Sequence, residues 1–184
     1  MDAKGARPVI VIALEEELPA ALVPDWQIEI CGVGKINAAL HLSHIIHTVK
    51  PASIINLGTA GGVTCATEQL VEVGSVVQRD MDLSSLGLAK GETAFDRFPA
   101  EITLSTSGIV CGTGDNFVQD APQIPCDIVD MELFALAKTC QFYDIPLRAF
   151  KYISDGADDT ADTDWREALK PASHAFARLL SEIR

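Results

Sequence analysis

Basic residues are scarce in this chain. Of 184 residues, 14 are Lys or Arg against 26 Asp or Glu, a formal net charge of −12. A surface of that sign repels a phosphate backbone, so nucleic acid is not an expected partner. Cysteines are few: Cys31, Cys65, Cys111, Cys126 and Cys140 form an odd set without a CxxC. That argues against a disulfide framework or a zinc knuckle and fits a reducing cytoplasm. No apolar run is long enough to span a bilayer, and the opening residues lack the apolar core of a secretion signal, so no membrane partner is expected. Internal repeats and low-complexity linkers are also missing. What remains, 48% hydrophobic and 22% charged residues, is enough to bury a core. It is read as one domain over residues 1–184.

The hydrophobic pattern alternates between two periods, the signature of β-α units. Residues 9–14 form a β-branched run that reads as a strand buried on both faces. Residues 27–33 and 52–57 are further strands, and 36–49 carry a helical spacing that Pro51 ends. The second of those strands runs into Gly58-Thr59-Ala60-Gly61-Gly62, read as a turn that only small residues can make. Strands are expected at 71–78, 108–111, 126–129 and 147–153, a helix from near Glu132, and a final helix from an Asp164/Glu167 capping box toward Leu180. The fold class expected is α/β: a three-layer αβα sandwich around a mainly parallel, twisted sheet.

Polar residues fall where these strands stop. Leu14 gives way to Glu15-Glu16-Glu17, and Leu57 to the glycine segment. Cys111 gives way to Gly112-Thr113-Gly114-Asp115-Asn116, Val129 to Asp130-Met131-Glu132, and Ile153 to Ser154-Asp155-Gly156. With parallel strands all five clusters share one sheet edge, where open α/β sheets bind ligands. A pocket with several acids and backbone donors is the expectation.

Other patterns carry less. His41, His44 and His47 recur at i, i+3, i+6, but no further ligand shares their face. They read as an exposed helix face, and no metal or cofactor is expected. Asp158, Asp159, Asp162 and Asp164 lack calcium-loop spacing and read as a solvated loop. Gly32-Val33-Gly34-Lys35 lacks both the dinucleotide and the Walker pattern and reads as a close-packed strand-to-helix turn. Residues 83–98 form a loop whose Leu86, Leu88, Phe95 and Phe98 have no evident core to join. An unplaced apolar cluster points to a second copy of the chain, hence a homodimer.

In order, Ala13–Glu17, Gly32–Ala39, Ile54–Gly62, Gly112–Val118, Val129–Glu132 and Ile153–Asp158 make up a set that resembles the nucleoside phosphorylase/nucleosidase superfamily, and within it the methylthioadenosine/S-adenosylhomocysteine nucleosidases. The resemblance implies a nucleoside phosphorylase-like fold, a small-molecule nucleoside substrate and hydrolysis of its N-glycosidic bond. It implies that Glu17 positions and deprotonates the attacking water, and that Asp155, oriented by Ser154, protonates purine N7. Glu132 would hold the ribose hydroxyls, with Met131 against the sugar. Phe117 would stack on the base while the backbone of Val118 reads its edge. Thr59, Ala60 and Gly61 would line the sugar and water side, and Trp165 would lie against the 5′ group. Asp130 stands where the family usually has Glu, and Lys151 where it usually has Arg. The segments 17–32 and 82–103, which shape the 5′ end in the family, are short here.

The chemistry is reasonable on its own terms. Cleaving an N-glycosidic bond builds positive charge on the sugar, which nearby carboxylates stabilise. The purine leaves best when protonated, by an acid that burial and neighbouring carboxylates keep protonated near neutrality. A phosphorylase needs cations for phosphate, and its relatives place an arginine just before the glycine segment. Here that stretch reads Ile55-Asn56-Leu57, which favours water as nucleophile. The alternatives are a phosphorylase, a hydrolase of inosine or futalosine, and a non-catalytic nucleoside-binding protein. The joint presence of Glu17, Glu132 and Asp155 argues against the last.

Overall fold

The computed structural model describes residues 7–116, 118, 122–157 and 161–183, and of 161–163 the backbone alone. In chain order the strands are β1 (Val9–Ile12), β2 (Ile28–Ile30), β3 (Ile54–Gly62), β4 (Leu70–Glu72), β5 (Ser75–Gln78), β6 (Glu101–Thr103), β7 (Val110–Thr113), β8 (Ile128–Asp130) and β9 (Leu147–Asp155). The helices are α1 (Lys35–Thr48), α2 (Leu133–Tyr143) and α3 (Ala161–Glu182).

The sheet has two parallel groups. In the first, β2, β1, β3 and β9 run side by side in parallel, with β4 antiparallel on the edge of β9. In the second, β5, β7 and β8 are parallel and β6 is antiparallel on the edge of β5. Helices cover both faces, giving the three-layer αβα arrangement. Ala38, Leu42, Ile45 and Ile46 of α1 pack with Leu133, Leu136, Ala137 and Cys140 of α2 on one face. Ala168, Ala172, Phe176 and Leu180 of α3, four apart and so on one helix stripe, pack on the other. Burial of these aliphatic side chains at about 25 cal/mol per Å² drives the layering. Among the described residues no helix is long and apolar enough to cross a membrane.

Several elements differ from their sequence reading. The glycine segment is not a turn: β3 continues to Gly62, paired with β9 up to Gly61↔Asp155 with a register shift after Ala60. The small residues serve close approach. A Cβ on Gly61 would lie 2.8 Å from Asp155 Oδ1, and one on Gly62 2.4 Å from the Cys65 carbonyl oxygen. Residues 71–78 divide into β4 and β5, which belong to opposite groups of the sheet. Between them, Gly74 passes so near Ser107 that a Cβ would meet its carbonyl oxygen at 1.7 Å. β6 is too short to show a period. The last helix begins at Ala161, so Asp164 and Glu167 lie inside it and not at its N-cap position. His44 and His47 are exposed, but His41 is half-buried, 3.4 Å from Glu29. Asp158 and Asp159 lie outside the described residues, as does the side chain of Asp162.

Candidate active site

The two groups of strands meet nearly head to head. β3 touches β8 through only two antiparallel pairs, Gly61↔Val129 and Gly62↔Ile128. The carboxyl ends of β1, β3 and β9 therefore face those of β7 and β8 across one cleft. The five polar clusters converge there, around a cavity of about 220 Å³.

Glu17 stands on one side. It ends a short 3₁₀ turn after β1; Glu15 and Glu16 point to solvent while Glu17 is 4% exposed. Its Oε2 accepts the N–H groups of Ala13 and Leu14 at 3.0 and 3.2 Å. Its Oε1 accepts the Thr59 N–H and hydroxyl at 2.9 and 3.1 Å. The Thr59 hydroxyl oxygen in turn accepts the indole N–H of Trp165 at 2.9 Å, which brings the start of α3 onto this wall.

Asp155 stands at the end of β9, also buried. Its Oδ2 accepts the Ser154 hydroxyl at 2.6 Å and its Oδ1 the Ala157 N–H at 2.9 Å. Glu17 lies against Gly58 and Asp155 against Gly61. Three residues of strand at about 3.3 Å each thus separate the two acids along β3, room for a sugar and a water between them.

The third wall comes from β8. Glu132 precedes α2 and reaches across to accept the Gly34 N–H at 2.8 Å, at the start of α1. Burial pushes its pKa up to about 7, with Asp130 and Glu17 adding to the rise and Lys151 and the Gly34 N–H opposing it. Below it Lys151 and Asp130 form an ion pair of 2.8 Å, their side chains 2% and 1% exposed. Asp130 also accepts the Thr113 hydroxyl and the Leu133 N–H. Burial works against its ionisation, yet Lys151, Thr113 and the Leu133 N–H hold its carboxyl below the usual range. Burial alone would lower the Lys151 pKa, but Asp130, with Cys111 and Glu132, holds the ammonium above the ordinary lysine value. The shorter Asp and Lys, standing where the resembled family has Glu and Arg, thus pair with each other across β8 and β9.

Of the residues singled out in the sequence, the structure brings Glu17, Thr59, Ala60 and Gly61 together on one wall with Trp165. Ser154, Asp155 and Val118 line the same cavity, as do Met131 and Glu132 on the third wall. Phe117 lies outside the described residues. Two cations were not given a site role. Lys151, named only as standing where the resembled family has Arg, is a charge inside an apolar strand, a signal that demands a buried partner. Arg79 lines the cavity with its guanidinium committed to the carbonyls of Gly112, Gly114 and Asn116 and to the Asn116 side chain; no sequence pattern marked it. Nearby, Lys35 pairs with Asp80 at 2.6 Å and its N–H donates to Asp115, fastening the first turn of α1 to the ends of β5 and β7. Among the described residues no group of three or more His, Cys, Asp or Glu side chains could hold a metal ion.

A family model described as the phosphorylase superfamily matches residues 96–183, the stretch that carries Glu132, Ser154, Asp155 and Trp165. The 5'-methylthioadenosine/S-adenosylhomocysteine nucleosidase of Haemophilus influenzae (strain PittEE) is 29% identical over 182 residues, covering 83% of this chain and 77% of that protein. The enzyme of the same name from Exiguobacterium sp. (strain ATCC BAA-1283 / AT1b) is 27% identical, with 83% and 76% covered. Among solved structures, the nucleosidase of that name from Neisseria meningitidis, in complex with methylthio-immucillin-A, superposes with a TM-score of 0.84 at 23% identity, covering 97% of this chain and 98% of that one. Native futalosine hydrolase of Helicobacter pylori strain 26695 superposes with a TM-score of 0.88 at 19% identity, covering 98% and 97%. At such identities the superpositions establish the fold.

Proposed function

We infer that this chain is a member of the phosphorylase superfamily, whose model matches residues 96–183, and that it is a purine nucleosidase, hydrolysing the N-glycosidic bond of an adenine nucleoside of the methylthioadenosine or S-adenosylhomocysteine type to free purine and sugar. The observation that carries this reading is the pair of buried carboxylates, Glu17 and Asp155, set apart along β3 on one cavity. Water bonds to C1′ as the C1′–N9 bond breaks and its electron pair leaves on the purine. Glu17 receives the water proton. Asp155, oriented by Ser154, delivers a proton to N7. Glu132 holds the ribose hydroxyls beside Met131, and the base lies toward Phe117 and the backbone of Val118. Ala60 and Gly61 border the sugar, with Trp165 toward the 5′ group.

Water is favoured over phosphate because Arg79, which lines the cavity, and Lys151, buried behind it, are both engaged. Lys151 is held by Asp130, and Arg79 by carbonyl groups. A panel of methylthioadenosine, S-adenosylhomocysteine, adenosine, inosine and futalosine, with and without phosphate, tests the reading by release of free base. Adenine freed from the first two without phosphate is expected. Base release that requires phosphate would identify a phosphorylase, and release from inosine or futalosine alone a different hydrolase.

The assembly proposed is a homodimer working in the cytoplasm. Leu86 and Phe95 on the 83–98 loop are 71% and 108% exposed, and Ile36 and Leu40 on α1 are 72% and 68% exposed. All five cysteines are free thiols, as a reducing compartment keeps them. A monomer by light scattering at micromolar concentration would refute the dimer.

A further inference from the structure

Of the two cations beside the cleft, only Lys151 is neutralised. Its ammonium pairs with the Asp130 carboxylate, and the two charges cancel for anything farther off. Arg79 lines the cavity, and its guanidinium donates to uncharged oxygens. Its Nε donates to the Gly112 carbonyl at 3.2 Å. One NH₂ group donates to the carbonyls of Gly114 and Asn116, the other to the Asn116 side-chain oxygen at 2.8 Å. Among the described residues no carboxylate forms an ion pair with it. Asp80, its neighbour in sequence, and Asp115, inside the segment it grips, both pair with Lys35.

Carbonyl dipoles orient a guanidinium but carry no net charge. Their field falls off faster than that of the charge they hold, so a whole positive charge acts on the cavity. It is also fixed in place. The planar fork spreads over three backbone carbonyls of the segment that follows β7. Two glycines make room for it: a Cβ on Gly114 would lie 2.8 Å from Arg79 Cζ, and one on Gly112 3.4 Å from Arg79 Cδ. The gripped segment leads to Val118, and Arg79, Asn116 and Val118 all line the cavity. The charge therefore stands at the end to which the proposed mechanism sends the purine.

We propose that Arg79 is the fixed charge that stabilises the purine as it leaves. As the C1′–N9 bond lengthens, its electron pair moves onto the base. Until the Asp155 proton is fully on N7, the base carries negative charge. Arg79 favours that state over the neutral bound nucleoside, and it exchanges no proton in doing so. A charge already in position where charge develops lowers the barrier without reorganisation. This role rests on the nucleosidase reading and adds to it a preference for bases that depart with negative charge.

The test pairs binding with turnover. Adenine and 8-azaadenine, whose more acidic ring N–H is ionised at mildly alkaline pH, are titrated into the protein at that pH by calorimetry. Turnover of methylthioadenosine gives kcat and KM, and thermal unfolding checks folding. Arg79→Gln keeps N–H donors for the carbonyls and removes the charge. It is expected to weaken 8-azaadenine about tenfold more than adenine, and to lower kcat about tenfold with KM within about threefold. Arg79→Lys restores the charge without the fork and is expected to recover most of both losses, which a purely structural clamp on the segment would not allow. The proposal is overturned if Arg79→Gln weakens both ligands equally. It is overturned too if Arg79→Lys is no better than Arg79→Gln, for then the hydrogen bonds matter and the charge does not. Should the glutamine variant fail to fold, Arg79→Met carries the same comparison. Wild-type protein that frees no adenine from methylthioadenosine is a separate failure, that of the nucleosidase reading, and the binding comparison tells the two apart because it needs no turnover.

Discussion

Two buried glutamates face one cavity, and they are held in opposite ways. Glu17 is surrounded by donors: three backbone N–H groups and a hydroxyl point at its two oxygens. Glu132 takes one backbone N–H, from Gly34, and looks toward the negative charge of Asp130. Burial without enough donors is what lifts its pKa to about 7. Side-chain type and depth are the same at the two positions; the local backbone decides the difference. Under the proposed mechanism, the group that carries a proton at the reacting centre is locked in direction. The one proposed to meet hydroxyls, its pKa raised to about 7, is able to donate or accept according to pH.

The largest effects separate the acids that act from those that hold. Asp155→Asn should lower kcat by about 10²–10⁴-fold, since an amide cannot deliver the proton, and leave stability near wild type. The amide oxygen can keep the Ala157 N–H, and the Ser154 hydroxyl can turn to accept the amide N–H. Glu17→Gln should lose as much activity and, unlike Asp155→Asn, also stability. Its NH₂ must face donors at either oxygen, at a cost of about 1–3 kcal/mol for a buried group left unpaired. Denaturant unfolding of both variants checks this; equal stability would erase the contrast between the two carboxylates.

Next comes the pair beneath Glu132. Lys151→Met strands Asp130 without its cation, and removal of one partner from a buried pair costs about 3–5 kcal/mol. The double variant Asp130→Asn/Lys151→Met should recover most of that loss in the same unfolding measurement. If the double is no more stable than the single, the pair is not the link between β8 and β9.

Glu132→Gln probes the raised pKa. The folded-state value of about 7 exceeds the ordinary glutamate value of about 4.3, so this group's contribution to stability is full below about 4.3 and is lost as pH rises through 7. The variant should therefore gain stability relative to wild type from pH 5 to pH 8. A parallel pair of stability curves would show that Glu132 ionises normally. The smallest effect concerns substrate choice: Trp165→Ala should raise KM for methylthioadenosine about tenfold and less for adenosine. Equal changes would mean that the ring does not touch the 5′ group and that Trp165 matters only through Thr59.

Much of the architecture was legible because strand burial and helical stripes are local patterns. Residues 9–14, 36–49 and 147–153 were found nearly where β1, α1 and β9 lie. The glycine segment was misread because glycine marks turns and close approaches alike, and only the position of Asp155 and Cys65 tells which applies. β6 has three residues, too few for any period. The site was legible as a set of residue types placed after strands, with Glu17, Glu132 and Asp155 among them. Arg79 was not, because its partners are backbone carbonyls more than thirty positions away, and carbonyls leave no trace in residue type.

The order of hydrophobic and polar segments along the chain determined the layers, the direction of the strands and which acids end up on the cavity. All of these follow from periodicities that span a few neighbouring residues. The tertiary structure alone decided that Lys151 pairs with Asp130, that Gly34 reaches Glu132 and that Trp165 reaches Glu17 through Thr59. Those contacts join segments 98 and 106 residues apart in the last two cases. They depend on where β3, β8 and α3 come to rest against one another, and no pattern of short range carries that information.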